Sequence, residues 1–297
     1  MDCYNRPIVH ANVEAGTWPM FNNLIVAYLF LGGMGAGACC VLNVLGFATE
    51  RAGIAPRRLF GFGFLIASAV CTVGAFCLLA DMRRPDEILI LLTEPTLSVV
   101  SVGAYTLAAT ILCGVFSGLA WLRVLPVPPL AMRIVAAVHI VLACAVMTYT
   151  ALLLMAFSGV PLFRSPLLIP LFLASSLSCG AAAVTLSAVA TRTWDSFAPA
   201  MCRVALADAA VLVVELLVLA AFVLASLQDA PASAWRLIGG SAAVPFWAGL
   251  VAIGIVAPLV LYVLARKVPA LRVHPFVPAA LVLVGGFVLR WCILAAA

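Results

Sequence analysis

Residues 22–40 read NNLIVAYLFLGGMGAGACC, an apolar run with the length of a membrane span that nevertheless contains four glycines. A spanning helix needs about 20 mainly apolar residues, because lipid offers no partners for its backbone groups. Glycine weakens a helix, but small residues four positions apart allow two membrane helices to pack closely, and Gly33 and Gly37 have this spacing. We therefore predict a spanning helix with a tightly packed face. Contact of the glycines with a substrate is the alternative.

The whole chain has the composition of a membrane protein. Hydrophobic residues make up 66% of it and charged residues 9%, whereas soluble domains carry about 25% charged residues. The mean hydropathy is +1.24, and the long apolar runs lack the alternation of β-barrel strands. The sequence thus predicts an all-α, polytopic integral membrane protein in which residues 1–297 form a single transmembrane domain.

Eight apolar segments have the length of a transmembrane helix. They lie near 21–48, 59–80, 98–122, 134–156, 167–190, 204–227, 244–264 and 276–295. The segment at 87–98, EILILLTEPTLS, is too short to span and contains Pro95, so we expect a helical turn at the surface. Residues 1–19 are polar and the first apolar run is too long for the core of a signal peptide, so we expect the first span to be retained as the insertion signal.

The distribution of Lys and Arg predicts the orientation, since cytoplasmic loops hold an excess of positive charge. Ten of these residues fall in the first, third, fifth and seventh loops, five lie on the opposite side, and Arg290 is within the last span. Both termini are therefore predicted to be extracytoplasmic. The net charge of +5 reflects this topology and does not indicate nucleic-acid binding.

The cysteine and histidine patterns disfavour resident redox centres. None of the ten cysteines forms a C-x-x-C pair, and cysteine within a span behaves as a small apolar residue. His139 is the single histidine of the three that lies within a predicted span, whereas a haem with two histidine ligands needs two at matching depth. We expect this chain to bind no metal, iron–sulfur cluster or haem.

Polar side chains within the spans are the default candidates for function, because they are costly in lipid. Tyr28 lies seven residues from Phe21 and Tyr149 eight residues from Phe157, so the two tyrosines have nearly equal depth from the outer side. Near the same level are Asn22, Asn23, Asp81, Arg84, Ser101, Tyr105, Thr148 and Arg290. We predict one hydrogen-bonding belt at the outer side. For any single tyrosine, an interfacial anchor is the alternative.

A second polar set begins at the predicted cytoplasmic side. Asp208 and Glu215 are two turns apart on one face of the sixth span, and His139 reaches a depth close to that of Asp208. Together they predict a route between cytoplasmic water and the bilayer centre. A core histidine held by a hydrogen bond is the alternative for His139. A faint repeat, LFLGGMGAGACC from Leu29 and LFLASSLSCGAA from Leu171, suggests a parallel duplication of four spans.

Four short motifs carry a resemblance over nearly the whole chain. They are YLFLGGMGAGA in the first span, DMRRP at 81–85, YTALLL at 149–154 and LVGGFVLRW at 283–291. In their order and in the eight-span topology, the chain resembles the NrfD or polysulfide-reductase type membrane subunits of molybdopterin and multihaem respiratory oxidoreductases.

This resemblance implies two four-helix bundles without a bound prosthetic group, in the cytoplasmic membrane of a prokaryote. It also implies partners, an extracytoplasmic iron–sulfur electron-transfer subunit and a catalytic molybdopterin or multihaem subunit. The diffusible substrate would be menaquinone or ubiquinone, bound near the outer face beneath the iron–sulfur subunit.

The chemistry of a quinone agrees with the residues singled out above. Its head group needs hydrogen-bond partners for two carbonyls, and its reduction takes up two electrons and two protons. We expect Tyr28 and Tyr149 to bond the carbonyls and Asp81 and Arg84 to orient them and exchange protons with outer water. Further quinone contacts are expected from three belt residues, Asn23, Tyr105 and Arg290. The cytoplasmic route would use Glu215, Asp208 and His139.

Two other classes of function stay open at this point. A proton-coupled secondary transporter agrees with the two acidic residues of the sixth span and with the faint repeat. An inert membrane anchor would use the polar belt for packing alone. A transporter should work without an iron–sulfur partner, which distinguishes it from the subunit of a respiratory complex.

Overall fold

The computed structural model describes residues 23–50, 56–81, 99–157, 159–267 and 274–297. The turn expected at 87–98, as well as Asn22 and Arg84, lies outside these residues. Within them, eight helices are long and apolar enough to cross a membrane, which confirms the predicted number of spans. In chain order they are Asn23–Glu50, Arg57–Asp81, Val99–Trp121, Pro129–Met155, Leu168–Ala190, Ala198–Asp229, Pro245–Lys267 and Phe276–Ala295.

Two spans begin earlier than predicted. The fourth starts at Pro129 and the sixth at Ala198, each several residues before the position expected from hydropathy. Both have a proline in the first helical turn, where the missing N–H has no helical partner in any case and the fixed φ angle suits a helix. These helices therefore extend beyond their apolar segments, past the arginines that marked the predicted boundaries.

The seventh span changes its helical type along its length. Pro245–Val256 is a π-helix, and Ala257–Lys267 continues as an α-helix. Gly254 in the π-helix lies so close to Gly285 of the eighth span that a methyl group on either would overlap the other's backbone. A short α-helix, Pro231–Ile238, precedes this span, and short 3-10 helices occupy Pro161–Arg164 and Asp195–Phe197.

Successive spans run in opposite directions. Gly46 and Gly32 of the first span lie next to Phe60 and Gly74 of the second, respectively, so the first two helices are antiparallel. In the same way, Gly103 of the third span lies next to Tyr149 of the fourth. One end of the assembly, called the Asn23 end here, therefore holds the starts of the odd-numbered spans. The other end is called the Glu50 end.

The first and fifth spans form the centre of the protein. In each, 67% of the most apolar 18-residue window is buried, against 22% in the fourth and seventh spans. A methyl group on Gly37 would overlap the backbone of Ser176 in the fifth span, and one on Gly35 would press against Ala67 and Cys71 in the second. Gly33 lies against the side chains of Ser176 and Arg290. The glycines of the first span thus allow it to contact helices on several sides.

The fourth span also packs against the first, and the eighth packs against the fifth and seventh. The division into two four-helix bundles and the sidedness of the termini stay predictions. The sidedness of the termini can be tested directly.

If positive charge sets the orientation, a reporter fused after Ala297 will behave as extracytoplasmic and one inserted just before Arg57 as cytoplasmic. A pair of fusions to alkaline phosphatase, which is active outside the cytoplasm, and to green fluorescent protein, which fluoresces inside it, measures both positions. The reverse pattern would place the Asn23 end in the cytoplasm.

Candidate functional site

Two buried phenol groups meet near the Asn23 end. Tyr28 is 1% exposed and Tyr149 5% exposed, and each lies about 8 Å along its helix from that end by the rise per residue. The two hydroxyls lie close enough for their side chains to interact with each other, but the contact lacks the geometry of a hydrogen bond, and neither oxygen has another partner among the described residues. Leaving a buried polar group unpaired costs about 1–3 kcal/mol. The tyrosine pair is therefore the clearest candidate in the described residues for contact with a polar ligand.

A glycine on the third span makes room for this pair. A side chain at Gly103 would overlap the ring of Tyr149 at three of its atoms, so the ring lies directly on the backbone of that helix. The ring of Tyr28 lies over Gly32, one turn further along its own helix. Sequence reasoning did not single out Gly103. The sequence did contain a signal for it, because Gly103 is a glycine within an apolar helix at the same depth as the two tyrosines.

The other predicted members of the outer belt lie in different settings. Asn23 and Tyr105 are exposed, the latter by 39%. Asp81 is the last residue of the second span, at the same end of the protein as the tyrosine pair. Of the predicted belt, the structure brings Tyr28 and Tyr149 together and leaves Asn23 and Tyr105 at the surface.

Arg290 is fully buried where the first, fifth and eighth spans meet. Its Nε donates to the carbonyl of Leu29 at 3.0 Å, and its terminal nitrogens donate to the Gly286 carbonyl at 2.7 Å and to the hydroxyls of Ser175 and Ser176 at 3.2 and 2.8 Å. The guanidinium carbon also lies 5.8 and 5.4 Å from the ring centroids of Phe30 and Phe172, close enough for cation–π contact. Arg290 thus holds the first span at the residue next to Tyr28.

The two acidic residues of the sixth span belong to a second buried polar group. Asp208 accepts hydrogen bonds from the hydroxyls of Ser178 at 2.6 Å and Tyr262 at 2.8 Å. Glu215 is 3% exposed, interacts with the Ser175 hydroxyl and lies within electrostatic range of Arg290 and Asp208. Asp208 and Glu215, with their neighbours Ser175, Ser178, Tyr262 and Arg290, are called the acidic cluster here. It extends from the level of Leu29 towards the Glu50 end.

His139 lies apart from the acidic cluster, among the first four spans. Its Nδ1 accepts a hydrogen bond from the Asn43 amide at 3.1 Å, and its ring centroid is 5.9 Å from that of Phe64. The amide nitrogen is only a donor, so Nδ1 is the acceptor and Nε2 carries the proton. The imidazole also interacts with the Thr110 backbone, although Nε2 has no partner with the geometry of a hydrogen bond. The structure places Asp208 and Glu215 within electrostatic range of each other and does not bring His139 to them.

No three side chains of His, Cys, Asp or Glu come together as a possible metal site in the described ranges. The buried polar side chains described above carry hydroxyl, amide, carboxyl, imidazole and guanidinium groups, beside several buried cysteine thiols. Such groups can bind polar ligands and protons.

Comparison with known proteins gives a family match. The family model described as polysulphide reductase, NrfD, matches residues 17–297 and so covers both the tyrosine pair and the acidic cluster. No curated protein matches the chain in sequence.

We expect Gly103→Ala to destabilise the protein, because the added methyl group would push the ring of Tyr149 off the third span. Overpacking of this kind costs about 1–3 kcal/mol, and thermal unfolding in detergent will show it as a lower midpoint. Gly159→Ala is the matched control, since a methyl group there would meet nothing within 4 Å. Equal midpoints for the two variants would contradict the close contact.

Proposed function

The chain belongs to the polysulphide reductase, NrfD family, and on this premise we propose that it is the quinone-reactive membrane anchor subunit of a respiratory oxidoreductase complex. It exchanges electrons between the membrane quinone pool and an extracytoplasmic iron–sulfur partner subunit. The active centre that transforms the terminal substrate belongs to a further, molybdopterin or multihaem, subunit of the complex.

One observation carries the quinone proposal, namely the two buried phenol hydroxyls without partners at Tyr28 and Tyr149. A phenol O–H is a hydrogen-bond donor, and a quinone carbonyl is an acceptor. Both side chains belong to the buried apolar core, and apolar surroundings suit a lipid-soluble head group. Two donors without a well-formed hydrogen bond are therefore available for the carbonyls of a quinone.

A quinone, when bound, takes up two electrons and two protons to become a quinol, or releases them in the reverse direction. In this proposal the hydroxyls of Tyr28 and Tyr149 donate hydrogen bonds to the two quinone carbonyls and so orient the head group. These hydrogen bonds become stronger as negative charge develops on the carbonyl oxygens during reduction. Burial excludes water and makes each hydrogen bond electrostatically stronger. The depth of about 8 Å from the Asn23 end keeps the head group near a partner subunit at that surface.

Protons reach or leave this site by two candidate routes. Asp81, the last residue of the second span, would exchange protons with water at the Asn23 end, and we propose the same task for Arg84, which follows it in the sequence. The acidic cluster would carry protons from the Glu50 end through Asp208 and Glu215. His139 makes no contact with this cluster, so its place in the route would require intervening water.

A proton-coupled secondary transporter is the second candidate, and the acidic cluster favours it. Acidic side chains within the spans are typical of proton relays in pumps and transporters. The partnerless tyrosine pair favours the quinone subunit over the transporter, since proton transport alone gives those two hydroxyls no ligand. Transport of a solute by the purified chain without partner subunits would favour the transporter.

We expect Tyr149→Phe to lower quinol-dependent turnover of the complex markedly, because the ring keeps its packing on Gly103 while the donor to the carbonyl is lost. Activity with an artificial soluble electron donor, delivered directly to the partner subunits, will stay near wild type. Steady-state assays with both donors measure the difference.

Ser187→Ala is the matched control for the loss of a hydroxyl. Its hydroxyl bonds only the Ala183 carbonyl of its own helix, and both activities should persist. Loss of both activities in Tyr149→Phe would indicate a defect of assembly. If neither changes and a quinone-site inhibitor binds normally, the tyrosine pair is not the quinone site.

We expect Glu215→Gln to slow quinone-linked turnover or to abolish its coupling to proton movement, while the complex still assembles. A charged carboxylate near the bilayer centre costs about 2.5–3.5 kcal/mol on insertion scales, so we expect Glu215 to have a functional role there. Proton uptake or release by the complex in liposomes measures the effect. Asp195→Asn, at an exposed residue of the short 3-10 helix Asp195–Phe197, is the control. Wild-type proton movement in Glu215→Gln would reduce Glu215 to a structural role.

A further inference from the structure

An apolar groove lies between the first, fifth and sixth spans in the half of the protein towards the Glu50 end. It has a volume of about 350 Å³, and nearly all of its walls are aliphatic, with Val41 and Val44 on one side and Ala207 and Val211 on the other. Val44 is 55% exposed and Ala207 is also exposed. The groove therefore opens to the side of the helices, where lipid surrounds the protein.

The length of this groove matches one leaflet of a bilayer. Its lining on the first span runs from Thr49 near the helix end to Cys40, nine residues that correspond to about 14 Å of helix. The hydrocarbon core of a bilayer is about 30 Å thick, so one leaflet contributes about half of that. An acyl chain aligned with the spans would fill the groove from its mouth to the bilayer centre.

Two charged side chains line the groove. Arg203 lies at its mouth, and Asp208, whose carboxyl oxygens both accept hydrogen bonds, lies in its inner part. Arg203 lines the groove and is exposed, with one contact from its Nε to the Pro199 carbonyl at 3.5 Å. No carboxylate whose side chain the structure describes, a set that leaves out Glu50, lies within ion-pair distance of Arg203. Asp208 also borders the groove, but its two oxygens accept hydrogen bonds from Ser178 and Tyr262. Of these two lining side chains, Arg203 is thus the one without a described partner of opposite charge. It lies five residues from the start of the sixth span, where we expect the lipid headgroups.

We propose that this groove binds one anionic phospholipid of the leaflet at the Glu50 end, with an acyl chain between the first and sixth spans and the headgroup phosphate on Arg203. The bound chain also covers the face of Asp208 that borders the groove. The groove lies in the other half of the membrane from the tyrosine pair, and it borders the proposed proton route at Asp208. Lipid binding is therefore tested separately from quinone turnover.

Native mass spectrometry of the delipidated full chain in detergent tests this proposal with two lipids of identical acyl chains. We expect one phosphatidylglycerol to bind about fivefold more tightly than phosphatidylcholine, the preference that one arginine near a membrane surface supplies. Arg203→Gln should remove this preference. Arg58→Gln, an exposed arginine at the same end that does not line the groove, should retain it.

A second pair of variants tests whether an acyl chain occupies the groove. Ala207→Phe places a ring in the groove and should weaken the binding of both lipids at least fivefold, whereas Ala210→Phe, exposed on the same helix but outside the groove, should leave it unchanged. Thermal unfolding confirms that each variant is folded. Equal binding of the two lipids, full preference in Arg203→Gln, wild-type binding in Ala207→Phe, or displacement of the lipid by inorganic phosphate would each overturn the proposal.

Discussion

The structure depends on the burial of one positive charge. Arg290 has no exposed surface, and lipid offers no acceptor for its N–H groups, so every acceptor must come from the protein. Leu29 supplies one from the first span, and Ser175 and Ser176 supply others from the fifth. The three central spans can satisfy the guanidinium only if they approach closely, and the glycines at 33 and 37 permit this approach.

The same guanidinium lies between the two polar groups of the protein. It binds the carbonyl of Leu29, which follows Tyr28, and it shares the hydroxyl of Ser175 with Glu215. The tyrosine pair and the acidic cluster are therefore held by the same packed helices, which Arg290 connects, rather than by separate loops. A site built on packed helices is held more precisely than one built on loops, which suits hydrogen bonds to a small planar head group.

Sequence reasoning predicted the number of spans and the equal depth of Tyr28 and Tyr149, because both depend on distance along a helix. It did not predict which side of each helix faces the core. In a membrane helix that is apolar all round, hydrophobic periodicity carries little information on that point. For this reason the sequence placed Arg290 in an outer belt by depth alone, whereas the structure shows its donors used within the core. His139 and Asp208 likewise have similar depths but different neighbours.

The glycines show how one residue type serves different purposes in this fold. At Gly37 the absence of a side chain brings two backbones together, so its contribution is to packing. At Gly103 the absent side chain leaves space that the ring of Tyr149 fills. Any larger residue there would displace the ring together with its partnerless hydroxyl. Because the close contact at Gly103 involves a candidate ligand-binding side chain, that glycine connects the packing of the third and fourth spans to the geometry of the site itself.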